Sequence, residues 1–311
     1  MKMFEQIKFD GNPVVLAAWP DMGNVGLITV DYLRRNLNTS TFAEIDMSPF
    51  FIPDSIVVKD GIAQFPEIPT SIFYYHHEPD IIIFESNAQI GGRDGITIIK
   101  TILDVITQFK VKRIFTFAAF AQPMSYQDAS QVLVTCNSES LLQDVSEHGV
   151  IPMPDGYIAG LNGLLLGVAA SRRIEAGCLL GTIPNYAVNL NYPKASLELI
   201  KTITRILPLN IDLSELESGA ETMDQQLAMI EERIREFFPN VSKEDNEEMS
   251  DIAEDKIPHY VMEKIERLFH EAKANKNAAS ELKKELDRWN LFELYEDRFL
   301  DLFEDRSKDK K

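Results

Sequence analysis

Between Val14 and Leu207, short apolar runs alternate with helical stripes, and that alternation restricts the fold more than any other feature of this chain. VVLAAW (14–19) reads as a buried strand. GLITVDYLRRNL (26–37) then puts Leu27, Val30, Leu33 and Leu37 on one helical stripe. DIIIFES (80–86) has the unbroken apolar run of a strand covered on both faces. ITIIKTILDVITQF (96–109) returns to the helical period through Ile98, Ile102, Val105 and Phe109. RIFTFAAF (113–120) and QVLVTC (131–136) read as strands, NGLLLGVAASRR (162–173) as a helix and GCLLGTI (177–183) as a strand. PKASLELIKTITRIL (193–207) is a helix opened by Pro193 at its first position, where a missing N–H costs nothing. In SIVVKDGIAQF (55–65), Asp60-Gly61 between two β-prone runs predicts a hairpin. The expected fold class is α/β: three layers, a mostly parallel or mixed sheet with helices on both faces, and some antiparallel pairing from the hairpin.

The chain has 311 residues, more than one average domain, and its pattern changes after Leu207. Residues 211–311 carry 28 acidic and 16 basic side chains, against 21 and 15 in the first 210. The expected organisation is a core domain at 1–210, a connector at 211–222 and an acidic helical region at 223–311, with an acidic linker at about 239–257. Three amphipathic stripes mark the last region: Met223, Leu227, Ile230, Ile234 and Phe237; Val261, Ile265, Leu268 and Ala272; and Leu282, Leu286, Trp289 and Phe292, with Phe299 and Phe303 beyond.

Charge and composition exclude several classes of function. A net charge of −18 offers no basic field for nucleic acid or for an anionic membrane surface. The start, MKMFEQIKFDG, lacks the apolar core of a signal peptide, and no apolar run is long enough to span a bilayer. Cys136 and Cys178 form neither a disulfide framework nor a metal cluster, in keeping with a reducing cytoplasm.

WPDMGNVG (19–26) lies between the first strand and the first helix, where a dinucleotide-binding turn would lie. Gly23 and Gly26 supply the last two glycines of G-x-G-x-x-G, but Asp21 holds the first position. A carboxylate there would repel a pyrophosphate, and no Lys follows to make a P-loop. The octet is therefore either a plain turn, with Pro20 presetting φ, Gly23 at positive φ and Asn24 capping the helix, or a loop presenting Asp21 and Asn24 to a polar ligand or partner.

The same octet resembles the G-W-P-D-A-G-N-V-G-like signature of the proteasome assembly chaperone two family. YIAGLNGLLLGVAASRRIEAGCLLGTIPNYAVNLNYPKASLELIKTI (157–203) resembles that family's G-x-x-G-L-L-L run, glycine-flanked strand, V-P-H-Y and P-x-A-x-x-L-L helix. The resemblance covers roughly residues 10–207. It implies a three-layer fold related to nucleoside phosphorylases and peptidyl hydrolases, homo-oligomers with a trimer favoured, and, for some members, help in assembling proteasomes. Proteasome-binding members dock through a C-terminal hydrophobic-Tyr-x tail. This chain ends Asp309-Lys310-Lys311, which argues against docking by that route. The family's histidine in V-P-H-Y is Asn185 here, so no acid–base role carries over to that position.

Polar residues at other strand ends complete a candidate edge. ESNAQIGGRDG (85–95) places Glu85, Asn87, Gly92 and Arg93 where open α/β folds bind ligands, with Arg93 either a clamp for an anion or paired to Asp94 or a neighbouring subunit. Asn162, as pocket residue or helix cap, and Asn185 and Tyr186 follow further strand ends, so loops 20–26, 85–95, 160–163 and 184–187 are expected on one side of the molecule. His76 and His77 point to opposite faces of an extended chain and suit a surface role. No metal site, cofactor site or recognisable catalytic set is expected: G-x-S-x-G, H-E-x-x-H and C-x-x-C are all missing. Trp289, Phe292, Tyr295 and Phe299 crowd a short stretch with more apolar surface than one neighbour hides, predicting contact with a second subunit or a client. The leading expectation is an oligomeric, non-catalytic assembly factor or scaffold with a protein partner. The alternative is a binding protein or enzyme for a nucleoside, amino acid or short peptide.

Overall fold

Along VVLAA the side chains alternate between two apolar environments: Leu16 and Ala18 enter one core, Val15, Ala17 and Trp19 the other. That period of two, apolar on both sides, belongs to a strand sandwiched between helical layers. The computed structural model describes residues 1–53 and 55–237, together with 265, 267–269, 272, 279, 282–284, 286, 295 and 299. Its strands are β1 (Lys2–Met3), β2 (Val14–Ala18), β3 (Ser40–Glu44), β4 (Val57–Lys59), β5 (Ile62–Gln64), β6 (Ser71–His76), β7 (Ile81–Ser86), β8 (Arg113–Gln122), β9 (Val132–Cys136), β10 (Ile151–Pro152) and β11 (Glu175–Pro184). Its helices are α1 (Val25–Asn36), α2 (Gly92–Thr107), α3 (Glu139–Ser146), α4 (Gly160–Ser171), α5 (Pro193–Ile206) and α6 (Ser214–Phe237).

Nine strands form one mixed sheet in the order β1-β3-β6-β7-β2-β8-β11-β9-β10. Its centre, β7-β2-β8-β11, is parallel, with Leu16 between Ile83 and Phe115 and with Phe117 opposite Leu179. β6, β3 and β1 add in antiparallel steps on one side, and β9 lies antiparallel to β11 on the other. One face is covered by α1, α3 and α5, through Val30, Leu33, Leu141, Leu199 and Ile203. The other is covered by α2 and α4, through Ile98, Ile102, Leu165 and Ala169. The α/β class with helices on both faces is thus the observed one.

Two features differ from the sequence reading. The expected hairpin forms, but β4 and β5 make a separate two-stranded sheet; the antiparallel pairing of the main sheet comes from β1, β3, β6 and β9. α6 begins at Ser214, within the stretch read as a connector, and its Leu216, Ala220 and Leu227 are buried in the core against α5. Leu216 and Ala220 extend the stripe of Met223 and Leu227 back toward the start of the helix. The chain divides into two compact units, residues 1–244 and 245–311. In the second unit, Ile265, Leu268, Phe269, Ala272, Ala279, Leu282, Leu286 and Phe299 form their own buried cluster, with Tyr295 packed on it. The proposed linker, Val261, Trp289, Phe292 and Phe303 lie outside the described residues. Among the described residues, no helix is long and apolar enough to cross a membrane.

Candidate functional site at the carboxyl edge of the sheet

β2, β7, β8 and β11 run parallel, so their carboxyl ends open on one edge, the usual ligand edge of such sheets. The loop after β2 turns sharply there. Gly23 takes a left-handed φ of 64°, its N–H donates to the Val188 carbonyl at 2.7 Å, and its carbonyl accepts from the Tyr192 N–H at 2.9 Å. Asn24 also lies in the left-handed region, and its Nδ2 donates to Asn191 Oδ1 at 2.7 Å. A Cβ on Gly26 would collide with the Phe117 carbonyl on β8, so only glycine lets α1 start this close to the sheet. The glycines serve strand, helix and loop contact within the chain.

Asp21 turns its carboxylate inward, against the alternative that presents it to a ligand or partner. Its Oδ1 accepts from the Gly26 N–H at 2.9 Å, and its Oδ2 is buried without a hydrogen-bond partner. Asp21 therefore caps α1, and Asn24, expected in that role, makes no side-chain cap hydrogen bond. Burial raises the Asp21 carboxyl to about 7, against the opposing pull of the Gly26, Ala119 and Leu27 backbone N–H groups.

The other loops close on this turn. Gln89 Nε2 donates to the Pro20 carbonyl at 2.8 Å, while its Oε1 accepts from the Leu161 N–H at 3.1 Å, joining the loops after β2 and β7 to the start of α4. Asn162 is buried within the first turn of α4 rather than capping it. Its Oδ1 accepts from the Trp19 N–H at 3.2 Å, and its carbonyl accepts from Thr116 Oγ1 at 2.8 Å. Asn162 is thus a clasp between β2, β8 and α4, out of a ligand's reach.

Glu85 is held by Arg34 of α1 at 3.1 Å, with Asp31 on the same guanidinium. Burial pushes its carboxyl up and the Arg34 charge opposes this. Asn87 accepts from the Thr70 N–H at 2.8 Å and so ties β7 to the start of β6. Tyr186 is exposed, and its hydroxyl accepts from the Tyr126 N–H at 2.9 Å. Asn185 is half-buried in the short turn after β11. Arg93 is exposed beside exposed Gly92 and makes no ion pair with any described residue, so the expected partner Asp94 does not engage it. The loops converge as expected, and Gln89, Glu85, Asn87, Asn162 and Tyr186 spend their polar groups on partners within the chain. Gln89, Asn191 and Tyr192, which do much of this, were not singled out from the sequence. The one cue was a tyrosine directly before the helix-opening Pro193.

An open hollow of about 480 Å³ lies elsewhere, bordered by Cys136, Asn137, Met153, Asp155 and Gly163. Asn137 is fully engaged there with Leu166, Ile174 and Ala176. Burial pushes the Cys136 thiol up to about 11 and the Cys178 thiol to about 12, so neither is a ready nucleophile. His77 contacts Asp80 at 3.1 Å and stacks edgewise on Phe9. In the second unit Phe299 is buried in its own cluster, which corrects its assignment as a partner contact; Tyr295 lies partly exposed against Phe269.

The sequence pattern of the PAC2 family matches residues 15–231. A protein of Methanocaldococcus jannaschii described as uncharacterized protein MJ1210 is 25% identical over 235 residues, covering 75% of this chain and 86% of that protein. Among solved structures, Pyrococcus furiosus PbaB, described as an archaeal proteasome activator, is similar with a TM-score of 0.63 and 24% identity over 74% of this chain and 97% of that one. The Mycobacterium tuberculosis proteasome-assembly chaperone homologue Rv2125 gives a TM-score of 0.60 and 18% identity over 70% of this chain and 94% of that one.

Proposed function

The chain belongs to the PAC2 family, and from that premise we propose that it is a non-catalytic, homo-oligomeric assembly factor of the cytoplasm that binds a protein partner. The observation carrying this reading is the closed strand-end edge: Gln89, Asn162, Asn24 and Gly23 bind neighbouring loops where an enzyme of this architecture would hold its substrate. Neither Cys136 nor Cys178, whose thiols burial pushes up, nor the inward Asp21 is a ready nucleophile. The descriptions of similar structures as a proteasome activator and a proteasome-assembly chaperone homologue support the direction of the reading. A trimer is the favoured assembly. The test is affinity capture of the full chain at endogenous level from its native cells. A macromolecular partner in fixed ratio supports the proposal, and recovery of the chain alone refutes it.

A second reading, a small polar ligand at the same edge, rests on Arg93, which stands exposed beside Gly92 with no ion pair among the described residues. A thermal-shift screen of nucleosides, amino acids and short peptides tests it. A shift abolished by Arg93→Ala would favour this reading over the first.

A further inference from the structure

The segment between β3 and β6 contains the least covered apolar surface described in the first unit. Ile52, Ile56, Val57, Val58, Ile62, Phe65 and Ile68 are each 51 to 89% exposed. The turn between β4 and β5 is made by Asp60 (φ 52°) and Gly61 (φ 77°), both left-handed, as a tight hairpin requires. Val57 pairs with Gln64, Val58 with Ala63 and Lys59 with Ile62, and neither strand joins the nine-stranded sheet. Successive residues of a strand face opposite ways. Exposed Val57 and Val58 therefore make both faces of the ribbon apolar.

A two-stranded ribbon with no third strand and no covered face is marginal in water. The seven side chains expose on the order of 800 Å², above the few hundred Å² usual for the largest patch of a monomer. It matches about one partner's share of a standard protein interface. The ribbon's outer edges also carry main-chain groups that no other strand among the described residues pairs.

Charge narrows the choice of partner. A partner selected by the −18 of this chain would be basic and would need acidic side chains to meet it. From Ile56 to Phe65, the ribbon itself, the only charges are Lys59 and Asp60, which cancel; Asp54 and Glu67 lie in the flanking stretches. A second copy, itself at −18, can approach closely only where such repulsion is missing. An identical ribbon also supplies a complementary antiparallel edge and equally apolar faces, the self-matching geometry of a two-fold contact, which would join one trimer to another and is separate from the contacts that close a trimer. We infer that the β4–β5 ribbon is the self-association element of this protein, covered by the ribbon of a second copy of the chain. This rests on the homo-oligomer reading and names its surface: a mass of 35.3 kDa would defeat both, whereas an assembly unmoved by the substitutions below would defeat this inference alone.

Light scattering after size exclusion tests it on the full chain. The unaltered protein is expected at a multiple of 35.3 kDa. Val58→Glu with Phe65→Ser, both at exposed positions, is expected to weaken association at least about tenfold with an unchanged circular dichroism spectrum. As a second measurement that leaves the apolar residues in place, Lys59→Cys treated with a mild oxidant is expected to give a disulfide-linked dimer, while Lys100→Cys on α2 gives none. An unaltered protein that runs at 35.3 kDa at micromolar concentration overturns the inference. So does an assembly whose mass ignores the double substitution, or equal cross-linking at both positions.

Discussion

Asp21 sits where its charge is hardest to keep. Folding buries Oδ2 without a partner and leaves one hydrogen bond, from Gly26, to the other oxygen. Its carboxyl is raised from 3.8 to about 7, so the folded chain holds a proton there that the unfolded chain gives up near pH 4. The contribution of this residue is therefore fully present below about pH 4, declines as pH rises to about 7, and is flat above. The full swing is about 4 kcal/mol. Asp21→Asn keeps the acceptor for Gly26 and removes the titration. Urea denaturation is expected to show the variant gaining about 1–3 kcal/mol on the parent between pH 5 and pH 8. A difference that does not change with pH would contradict the buried titration. The sequence made Asp21 conspicuous but not its direction: its Oδ1 turns to the Gly26 N–H, at a helix start that lies close against Phe117. Asn162 and Gln89 were equally opaque, because their partners are backbone groups of Trp19, Pro20 and Leu161 from distant stretches.

Elements were easier to read where their own pattern carries the signal. Ile98, Ile102 and Val105 announce α2, Pro193 announces α5, and Asp60-Gly61 announces the turn of the ribbon. β3 and β6 were passed over because STFAE and SIFYYH mix polar and aromatic residues, and their place is fixed by pairing with each other and with β7. The start of α6 was hidden for a related reason. Leu216 and Ala220 look sparse among acidic residues until α5 lies beneath them. Tyr32 Oη also donates to the Asp212 carbonyl at 2.7 Å, fixing the entry to this helix against α1. If α6 is part of the core, Leu227→Ala leaves a cavity in it and is expected to cost about 2–5 kcal/mol in chemical denaturation, within a single transition. A separate early transition, with the main one unmoved, would place α6 outside the cooperative unit.

At the scale of the whole molecule, the α/β alternation implied helices on both faces of a sheet. Strand order could not be inferred, because β2 gains neighbours from both later halves of the sequence: β7 on one side, β8 on the other, with β11 beyond. This arrangement has a consequence for the chain as it leaves the ribosome. The bend at Gly23 is pinned by Val188 and Tyr192, and β8 lacks its outer neighbour until Glu175–Pro184 has emerged. Early segments must therefore wait for late ones, with an apolar strand edge uncovered meanwhile. Ribosome-bound chains with residues 1–151 outside the exit tunnel are expected to be digested by protease, and those extended through Phe237 to resist it; vulnerability thus becomes a matter of timing, greatest just before the first turn meets its partner.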